Sequence, residues 1–194
     1  MRIAEREDKT KVISILCKSF NDNRSVDYLI KKDSQRFKRI AGLMDYSYES
    51  CKLNGQVYLS DDESACALVQ YMDSKPPLFK AIMLDIKLII STIGIANILK
   101  ALKRQSIVKG NYPSGQILYL WYIGVDPAMQ GKGIGTDLLN EVLKLGRDNN
   151  QTICLETSTE KNVPWYLKNG FELYGKINDF GFPFYFLKKI YNLG

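Results

Sequence analysis

The stretch "VDPAMQGKGIGTDLL", residues 125–139, holds three glycines within five positions and continues into an amphipathic pattern. It is not a Walker loop, because none of Gly131, Gly133 and Gly135 is followed by a lysine and then a hydroxyl residue. It is not a dinucleotide fingerprint, because the third glycine position falls on Thr136. Glycines nevertheless let successive N–H groups turn toward one point, and a helix N-terminus adds unpaired donors. The loop is a candidate anion site, and a tight strand-to-helix turn is the alternative.

Length and composition limit the organisation of the chain. Its 194 residues are 45% hydrophobic and contain no linker-like stretch, which predicts one domain over residues 1–194. The N-terminal "MRIAEREDKTK" is charged where a signal peptide is apolar, so we expect a cytoplasmic protein. The longest uncharged apolar run, residues 88–99, is shorter than the ~20 residues that span a bilayer. We therefore expect no membrane partner.

Histidine is absent from the chain. Its absence excludes histidine-dependent triads and histidine metal sites, and it removes the commonest general base. Cys17, Cys51, Cys66 and Cys154 match no metal-ligand spacing and lie in apolar or helical stretches. We predict four buried, reduced thiols and no metal site.

Positive charge is concentrated between Lys75 and Gly110. This segment holds seven basic residues and one acidic residue, Asp85, so its excess of positive charge equals the +6 net charge of the whole chain. Such an excess can face a polyanionic ligand, a nucleic acid or an anionic membrane surface, although a solvated helix face is commoner. Basic and aromatic residues are not interleaved here, which argues against single-stranded nucleic acid. Nucleic acid is therefore not the expected partner.

Hydrophobic periodicity predicts alternating strands and helices. The predicted order is a strand at 2–4, a helix capped by Asp8, a helix at 34–53, a hairpin at 54–72, two helices at 78–106, a strand at 115–125, a helix to 149, a strand at 152–157, a short helix at 163–170 and a hairpin at 171–190. This order predicts an α/β fold with a mixed sheet and helices on both faces.

The predicted helices at 78–106 form a helical insertion, at about residues 78–108, that Gly94 divides in two. Apolar residues recur at helical spacing through it. We expect this apolar stripe to lie over the sheet, near the functional site. Lys100, Lys103 and Arg104 are then expected to face water.

Two motifs, in order, resemble the GNAT N-acetyltransferase superfamily. The first motif is a glutamine followed by two glycines, at Gln130, Gly133 and Gly135, and its spacing resembles the acyl-CoA pyrophosphate loop of the family. The preceding "YIGVDP" resembles its fourth strand. "LETSTEKNVPWYLKNGFELYG" resembles its second motif, in which an asparagine and a tyrosine on a short helix precede Gly-Phe. The resemblance is strong over residues 119–175 and weaker over "AEREDKTKVISILCKSF". It implies a GNAT-like mixed, mostly antiparallel sheet whose fourth and fifth strands splay apart.

The resemblance implies acetyl-CoA as cosubstrate. The amides from Gly131 to Thr136 are then expected to cradle its pyrophosphate, and the edge from Ile123 to Val125 to pair with the pantetheine arm. Gly124 is expected to let the arm approach closely, or to mark a bulge without a ligand. The expected cofactor-binding residues are Ile123, Gly124, Val125, Gln130, Gly131, Lys132, Gly133, Ile134, Gly135, Thr136 and Asn162. Asn162 is equally well explained as a helix N-cap or turn residue.

Tyr166 and Glu156 are the expected catalytic residues. Tyr166 stands at the tyrosine of the family, which protonates the departing thiolate; simple packing is the alternative. Ile117 stands where some relatives carry a histidine, so this position supplies no base; a base comes from elsewhere, or the amine arrives already deprotonated. Glu156 matches a strand glutamate that serves as base in other members, but its alternation with Cys154 also allows it to face solvent. Asp126 or an ordered water chain remains a competitor.

The resemblance implies an acyl-CoA-dependent N-acetyltransferase in which a primary amine attacks directly. We expect the acceptor to be a small-molecule or peptide amine. A non-catalytic acyl-CoA sensor with this fold is the first alternative, because the histidine is missing. A basic nucleic-acid-associated protein is the second. The acceptor, the acyl chain preference and the choice between monomer and homodimer stay open.

Overall fold

Seven strands form one sheet in the computed structural model, which describes residues 1–191. The strands are β1 (Arg2–Ile3), β2 (Gly55–Leu59), β3 (Ala65–Tyr71), β4 (Ile117–Val125), β5 (Thr152–Thr157), β6 (Glu172–Ile177) and β7 (Phe184–Lys189). Their order in the sheet is β1-β2-β3-β4-β5-β7-β6. Every neighbouring pair is antiparallel except β4 and β5, which run parallel. The predicted mixed, mostly antiparallel sheet is confirmed.

Helices cover both faces of this sheet. They are α1 (Lys9–Ser19), α2 (Arg24–Leu29), α3 (Arg36–Asn54), α4 (Leu78–Leu88), α5 (Ile98–Gly110), α6 (Ile134–Asp148) and α7 (Val163–Lys168). Side chains alternate between the two faces of a strand. Cys66 and Leu68 of β3 accordingly pack into the core under α1 and α3, whereas Ala67 and Val69 pack into the core under α6. The prediction of helices on both faces is confirmed.

The parallel pair β4 and β5 separates soon after it begins. Only Ile117–Tyr119 pairs with Thr152–Cys154, although β4 continues to Val125 and β5 to Thr157. On its other side β4 pairs with β3, but the register shifts at Trp121, which has no partner there. Such a bulge bends and twists the strand locally. The predicted splay is confirmed, and it leaves a gap between the two strands.

Two details at the N-terminus differ from the prediction. Asp8 stands at the N-cap of α1 but makes no side-chain capping bond, because Arg2 donates to its carboxylate at 2.6 and 2.9 Å. The hydrogen bond from Arg2, with one from the Glu5 amide, lowers the pKa of Asp8 to about 2. The short helix α2 was not predicted, although Asn23 caps it by accepting from the Ser25 amide at 2.9 Å.

The helical insertion is present, but its orientation was predicted wrongly. α4 and α5 flank a break at Gly94, whose φ of +72° is left-handed, as predicted. α4 packs against α3 rather than over the sheet, and its apolar outer side is exposed. Lys100 and Lys103 are exposed as predicted. The Arg104 side chain is only 16% exposed, because it turns inward to an ion pair with Glu156.

All four cysteines are buried and unpaired, as predicted. Among residues 1–191 no single helix is long and apolar enough to cross a bilayer. Taken together, two helical segments, Leu78–Ile93 and Ile95–Gly110, have the length and apolar composition of a membrane span, but a bend of 108° separates them.

Candidate active site

A cleft of about 630 Å³ opens where β4 and β5 separate. All of the expected cofactor-binding residues except Lys132 line it: Ile123, Gly124, Val125, Gln130, Gly131, Gly133, Ile134, Gly135, Thr136 and Asn162. The expected catalytic residue Tyr166 lines it as well. Lys132 does not line the cleft itself, but its Nζ lies 3.4 Å from the sulfur of Met129, which does. One concave site thus collects residues that are up to 43 positions apart in the sequence.

The glycine loop presents a row of free backbone donors to this cleft. Gly131 and Gly133 have φ of +79° and +86°, a left-handed conformation that side chains rarely adopt, and no atom lies within 4 Å of a Cβ built on either. Within residues 1–191 the amides from Gly131 to Gly135 have no acceptor. The Thr136 amide donates to the Gly133 carbonyl at 2.8 Å, because it already belongs to the first turn of α6. The expected cradle is therefore one residue shorter than predicted.

The open edge of β4 lies beside this loop. The Asp126 amide donates to the Ser64 carbonyl at 2.8 Å, so Asp126 faces β3. Because N–H and C=O of one strand residue point to the same side and successive residues alternate, Ile123 and Val125 face the gap. The Val125 carbonyl is consistent with this, since Gln130 Nε2 donates to it at 3.3 Å. Two backbone N–H groups of β4 are thus directed at the cleft.

Gly124 is explained by packing rather than by approach of a ligand. A Cβ at this position would lie 3.1 Å from Ser19 Oγ and 3.3 Å from Leu16 Cδ2. The glycine allows the C-terminal part of α1 to lie directly against β4. The Ser19 hydroxyl strengthens this contact, because it lies 2.8 Å from the Val125 carbonyl oxygen. The expectation that Gly124 makes room for a pantetheine arm is not supported by this geometry.

α7 places Tyr166 at the inner end of the cleft. The helix begins at Val163 with Pro164 in its first turn and is followed by Gly170, whose φ is +82°. The Tyr166 ring is buried against Phe171 and Trp165, at centroid distances of 5.5 and 4.8 Å. Its hydroxyl has no hydrogen-bond partner within residues 1–191. Burial, and then the charge of Glu156, raises the pKa of Tyr166 above its usual value, so its proton is retained at neutral pH.

Asn162 and Trp165 connect α7 to the glycine loop. Asn162 is at the N-cap of α7 but makes no capping bond, so its side chain is available to the cleft that it lines. The Trp165 indole N–H donates to Thr136 Oγ1 at 3.1 Å and thereby ties α7 to the start of α6. Trp165 was not among the predicted site residues, because nothing in its local sequence shows a partner 29 residues away.

Glu156 is held by a polar cluster on the inner side of the gap. Its side chain is 5% exposed, so the alternative that it faces solvent is wrong. Arg104 donates to its Oε1 at 2.9 Å, and the Tyr119 hydroxyl donates to the same oxygen at 2.6 Å. Its Oε2 accepts no hydrogen bond from residues 1–191. One oxygen of this carboxylate is therefore anchored, and the other is available.

Burial and charge both shift the pKa values of this cluster. Burial tends to lower the pKa of Arg104, but the Glu156 carboxylate together with Tyr119 and Tyr122 outweighs it, so the pKa is raised. Burial, and then Glu156, raises the pKa of Tyr119 well above its usual value, so Tyr119 stays a hydrogen-bond donor. Arg104 also donates to Ser25 Oγ at 3.1 Å, which joins α5 to α2. Both helices thus help to hold Glu156 in place.

A smaller cavity, of about 70 Å³, continues from the cleft toward Glu156 and Arg104. Tyr166 and Asn162 line both spaces and mark where they meet. The smaller cavity has aromatic walls from Phe20, Trp121, Tyr122 and Phe184.

Asp126, the competing candidate for the base, does not line either space. Lys18 pairs with its carboxylate at 2.7 Å and lowers its pKa, which makes Asp126 a weak competitor as a base. Within residues 1–191 no group of three or more cysteines, aspartates or glutamates is arranged to hold a metal ion.

Comparison with known proteins agrees with this fold. The acetyltransferase (GNAT) domain family matches residues 90–173, which include the glycine loop, Glu156 and Tyr166. Similar solved structures include histone acetyltransferase HPA2 and related acetyltransferase from Corynebacterium glutamicum, at 18% identity and a TM-score of 0.74, covering 100% of this chain and 96% of that one. Arylalkylamine N-acetyltransferase 2 from Aedes aegypti is 16% identical, with a TM-score of 0.64 and 98% of each chain covered.

Naa50 from Arabidopsis thaliana, solved with the bisubstrate analogue CoA-Ac-MVNAL, is 16% identical, with a TM-score of 0.55, covering 98% of this chain and 97% of that one. These likenesses extend over nearly the whole chain, whereas the family match covers its central part. The fold of the chain is that of the GNAT acetyltransferases, and residues 90–173 match the model of the acetyltransferase (GNAT) domain family.

Proposed function

We propose that this protein is an acyl-CoA-dependent N-acetyltransferase that transfers an acyl group to a primary amine by direct attack. The observation that carries the proposal is a single cleft that joins the free amides of Gly131–Gly135 to the hydroxyl-bearing Tyr166. An anion site and a proton donor at two ends of one cleft suit a long cosubstrate with a phosphate end and a reactive end.

The residues present fit acetyl-CoA as cosubstrate. The amides of Gly131 to Gly135, at the positive end of the 15-residue helix α6, suit a pyrophosphate. The N–H groups of Ile123 and Val125, on the unpaired edge of β4, suit the pantetheine amides and the acyl carbonyl oxygen. Asn162 lies within reach of the same space. When bound, acetyl-CoA supplies an activated acyl thioester.

The protein contributes acid–base groups and backbone donors to the reaction. A backbone N–H of β4 can stabilise negative charge on the acyl oxygen, a role whose loss typically costs ~10²–10³ in rate. Tyr166 retains its proton and can donate it to the leaving thiolate. Glu156 keeps Oε2 available to accept a proton from the amine, directly or through water. Arg104 and Tyr119 hold its other oxygen and so fix its orientation.

The acceptor is proposed to be a small-molecule or peptide amine. Two of the similar structures are named for such chemistry, one as an arylalkylamine N-acetyltransferase and one solved with a peptide-bearing bisubstrate analogue. The aromatic walls of the smaller cavity give it an apolar approach for the carbon skeleton of an amine. Burial of Arg104 in an ion pair removes one of the charges on which the nucleic-acid alternative depended.

Two measurements on the purified chain test this proposal. Calorimetric titration with acetyl-CoA should show binding, and a thiol-reactive dye should detect free coenzyme A when pooled polyamines, amino acids, arylalkylamines and peptides are added. Binding without thiol release from any pool would favour the sensor alternative. Absence of acetyl-CoA binding would refute both the enzyme and the sensor.

A further inference from the structure

Exposed apolar side chains line the helical insertion. They lie between Leu78 and Leu102 and include Phe79, Ile86 and Ile90; we call this set the insertion stripe. The Phe79 and Ile90 side chains are 76% and 75% exposed. Most of the exposed large apolar side chains within residues 1–191 belong to this stripe. Exposed apolar side chains concentrated in one segment in this way are typical of an interaction surface.

On α4 the stripe occupies one side of the helix and faces away from the core. Leu78, Ile82 and Ile86 recur at every fourth position, which places them on one face of α4. On the opposite face Leu88 packs against the core under α3. The two faces of α4 are therefore both apolar, and only one of them is covered.

Most lysines of the segment that carries the stripe have no compensating charge. Lys87 is paired with Asp45 and Arg104 with Glu156. The remaining lysines of the segment have no carboxylate within salt-bridge distance among residues 1–191: Lys75, Lys80, Lys100, Lys103 and Lys109. The acidic residue of the segment, Asp85, accepts a hydrogen bond from Tyr46 at 2.8 Å. The segment that carries the stripe therefore has an excess of unpaired positive charge.

We propose that the α4–α5 segment docks on the surface of a lipid bilayer that contains anionic lipids. The insertion stripe enters the boundary between headgroups and acyl chains, and the flanking lysines meet the lipid phosphates. A nucleic acid would engage the lysines but leave the stripe in water. A second copy of this chain would cover the stripe but bring two sets of unpaired lysines together, which disfavours it.

Surface docking is compatible with the short apolar run in the sequence. Without an apolar run long enough to cross a bilayer, no membrane-spanning helix is predicted. Helices that lie along the membrane surface do not need such a run. The bend of 108° between the two segments allows both to lie along the surface of a membrane. The proposal concerns this face alone and does not depend on acyl transfer.

Vesicle flotation of the full chain tests the proposal. One set of vesicles contains phosphatidylcholine alone, and the other also contains about one third phosphatidylglycerol. We expect flotation with the anionic vesicles, at least about tenfold less with the neutral ones, and a decrease as salt screens the lysines. Absence of flotation with anionic vesicles would overturn the proposal.

Paired variants separate the stripe from general surface effects. Phe79→Ser with Ile90→Ser should lower flotation at least about tenfold, whereas Leu173→Ser with Ile190→Ser, which alters exposed apolar residues elsewhere, should not. Thermal unfolding of each variant checks that it is folded. We expect folding to be retained, because the substituted side chains are exposed. Equal flotation of both pairs would overturn the proposal.

A second set of paired variants tests the role of charge. Lys80→Glu with Lys103→Glu should weaken flotation more than Lys144→Glu with Lys168→Glu, which changes net charge equally on exposed lysines of α6 and α7.

Self-association is tested by light scattering, which gives the oligomeric state without vesicles. If the chain is a dimer and Phe79→Ser with Ile90→Ser makes it a monomer, the stripe is a dimer interface and the membrane proposal is wrong.

Discussion

The Tyr166 hydroxyl can be removed with little effect on packing. Tyr166→Phe keeps the buried ring against Trp165 and Phe171, and the hydroxyl has no hydrogen bond within residues 1–191 to lose. If Tyr166 protonates the leaving thiolate, kcat should fall by roughly 10²–10⁴. The dissociation constant of acetyl-CoA should barely change. Steady-state kinetics and calorimetry on the same preparations measure both quantities.

Tyr28→Phe is a matched control for this substitution. Tyr28 is a partly buried tyrosine with its ring 5.1 Å from that of Phe180, and it lies outside the cleft. Its variant should keep wild-type turnover. If Tyr166→Phe also does so, the thiolate leaves without help from Tyr166, and the rate must come from positioning and the β4 amides.

Glu156→Gln tests the base through its dependence on pH. At mildly acidic pH most of the amine is protonated, so a base contributes most there. The loss of kcat/KM should therefore be largest at mildly acidic pH and shrink as pH rises toward the pKa of the amine. Profiles of kcat/KM against pH for both proteins measure this. A loss that is the same at every pH would give Glu156 a positioning role instead.

At the scale of elements, the start of α6 depends on a left-handed glycine. Gly133→Val forces a β-branched side chain into φ of +86° and places it beside the free amides. Acetyl-CoA affinity should fall at least about tenfold, because the amides can no longer approach the pyrophosphate closely. Gly181→Val is the control, since Gly181 has a φ of +81° and equally open surroundings outside the cleft. Equal affinity in the two variants would refute the loop assignment.

The contact between α5 and β5 depends on one buried ion pair. Arg104→Gln leaves the Glu156 carboxylate buried beside Tyr119 with no compensating charge. Removing one partner of such a pair should cost about 3 kcal/mol of unfolding free energy, measured by urea denaturation. Adding Glu156→Gln to Arg104→Gln should recover part of this loss. Strictly additive losses would show that the two side chains do not depend on each other.

At the scale of the whole molecule, local pattern predicted most of the fold. Strands and long helices were predicted from apolar periodicity, which is continuous in sequence, whereas the splay was implied by the resemblance to the GNAT superfamily. The orientation of the insertion was predicted wrongly, because an apolar stripe is normally buried and its exposure here is a property of the tertiary arrangement. Arg104 was predicted to face solvent, because its partner Glu156 is 52 residues away in the sequence. The short polar helix α2 has little periodicity to reveal it.

Ligand binding in the proposed cleft should stabilise the entire fold. A ligand that binds only the native state, present at 100 times its dissociation constant, adds about 2.7 kcal/mol to the unfolding free energy. For a chain of this size that corresponds to a rise in Tm of roughly 5–10 °C. Differential scanning fluorimetry with acetyl-CoA measures the shift. Gly133→Val at the same concentration should give a smaller one, and equal shifts would place the ligand elsewhere.

The most direct test of the proposed site is an NMR titration of the ¹⁵N-labelled chain with acetyl-CoA. We expect the amide resonances of Gly131 to Gly135 to shift, together with those of Ile123 and Val125, because these N–H groups would donate to the ligand. Amides around the exposed Leu173 should not move. Saturable binding that leaves the loop and β4 amides unchanged, or shifts amides elsewhere instead, would contradict the assignment of this cleft to acyl-CoA.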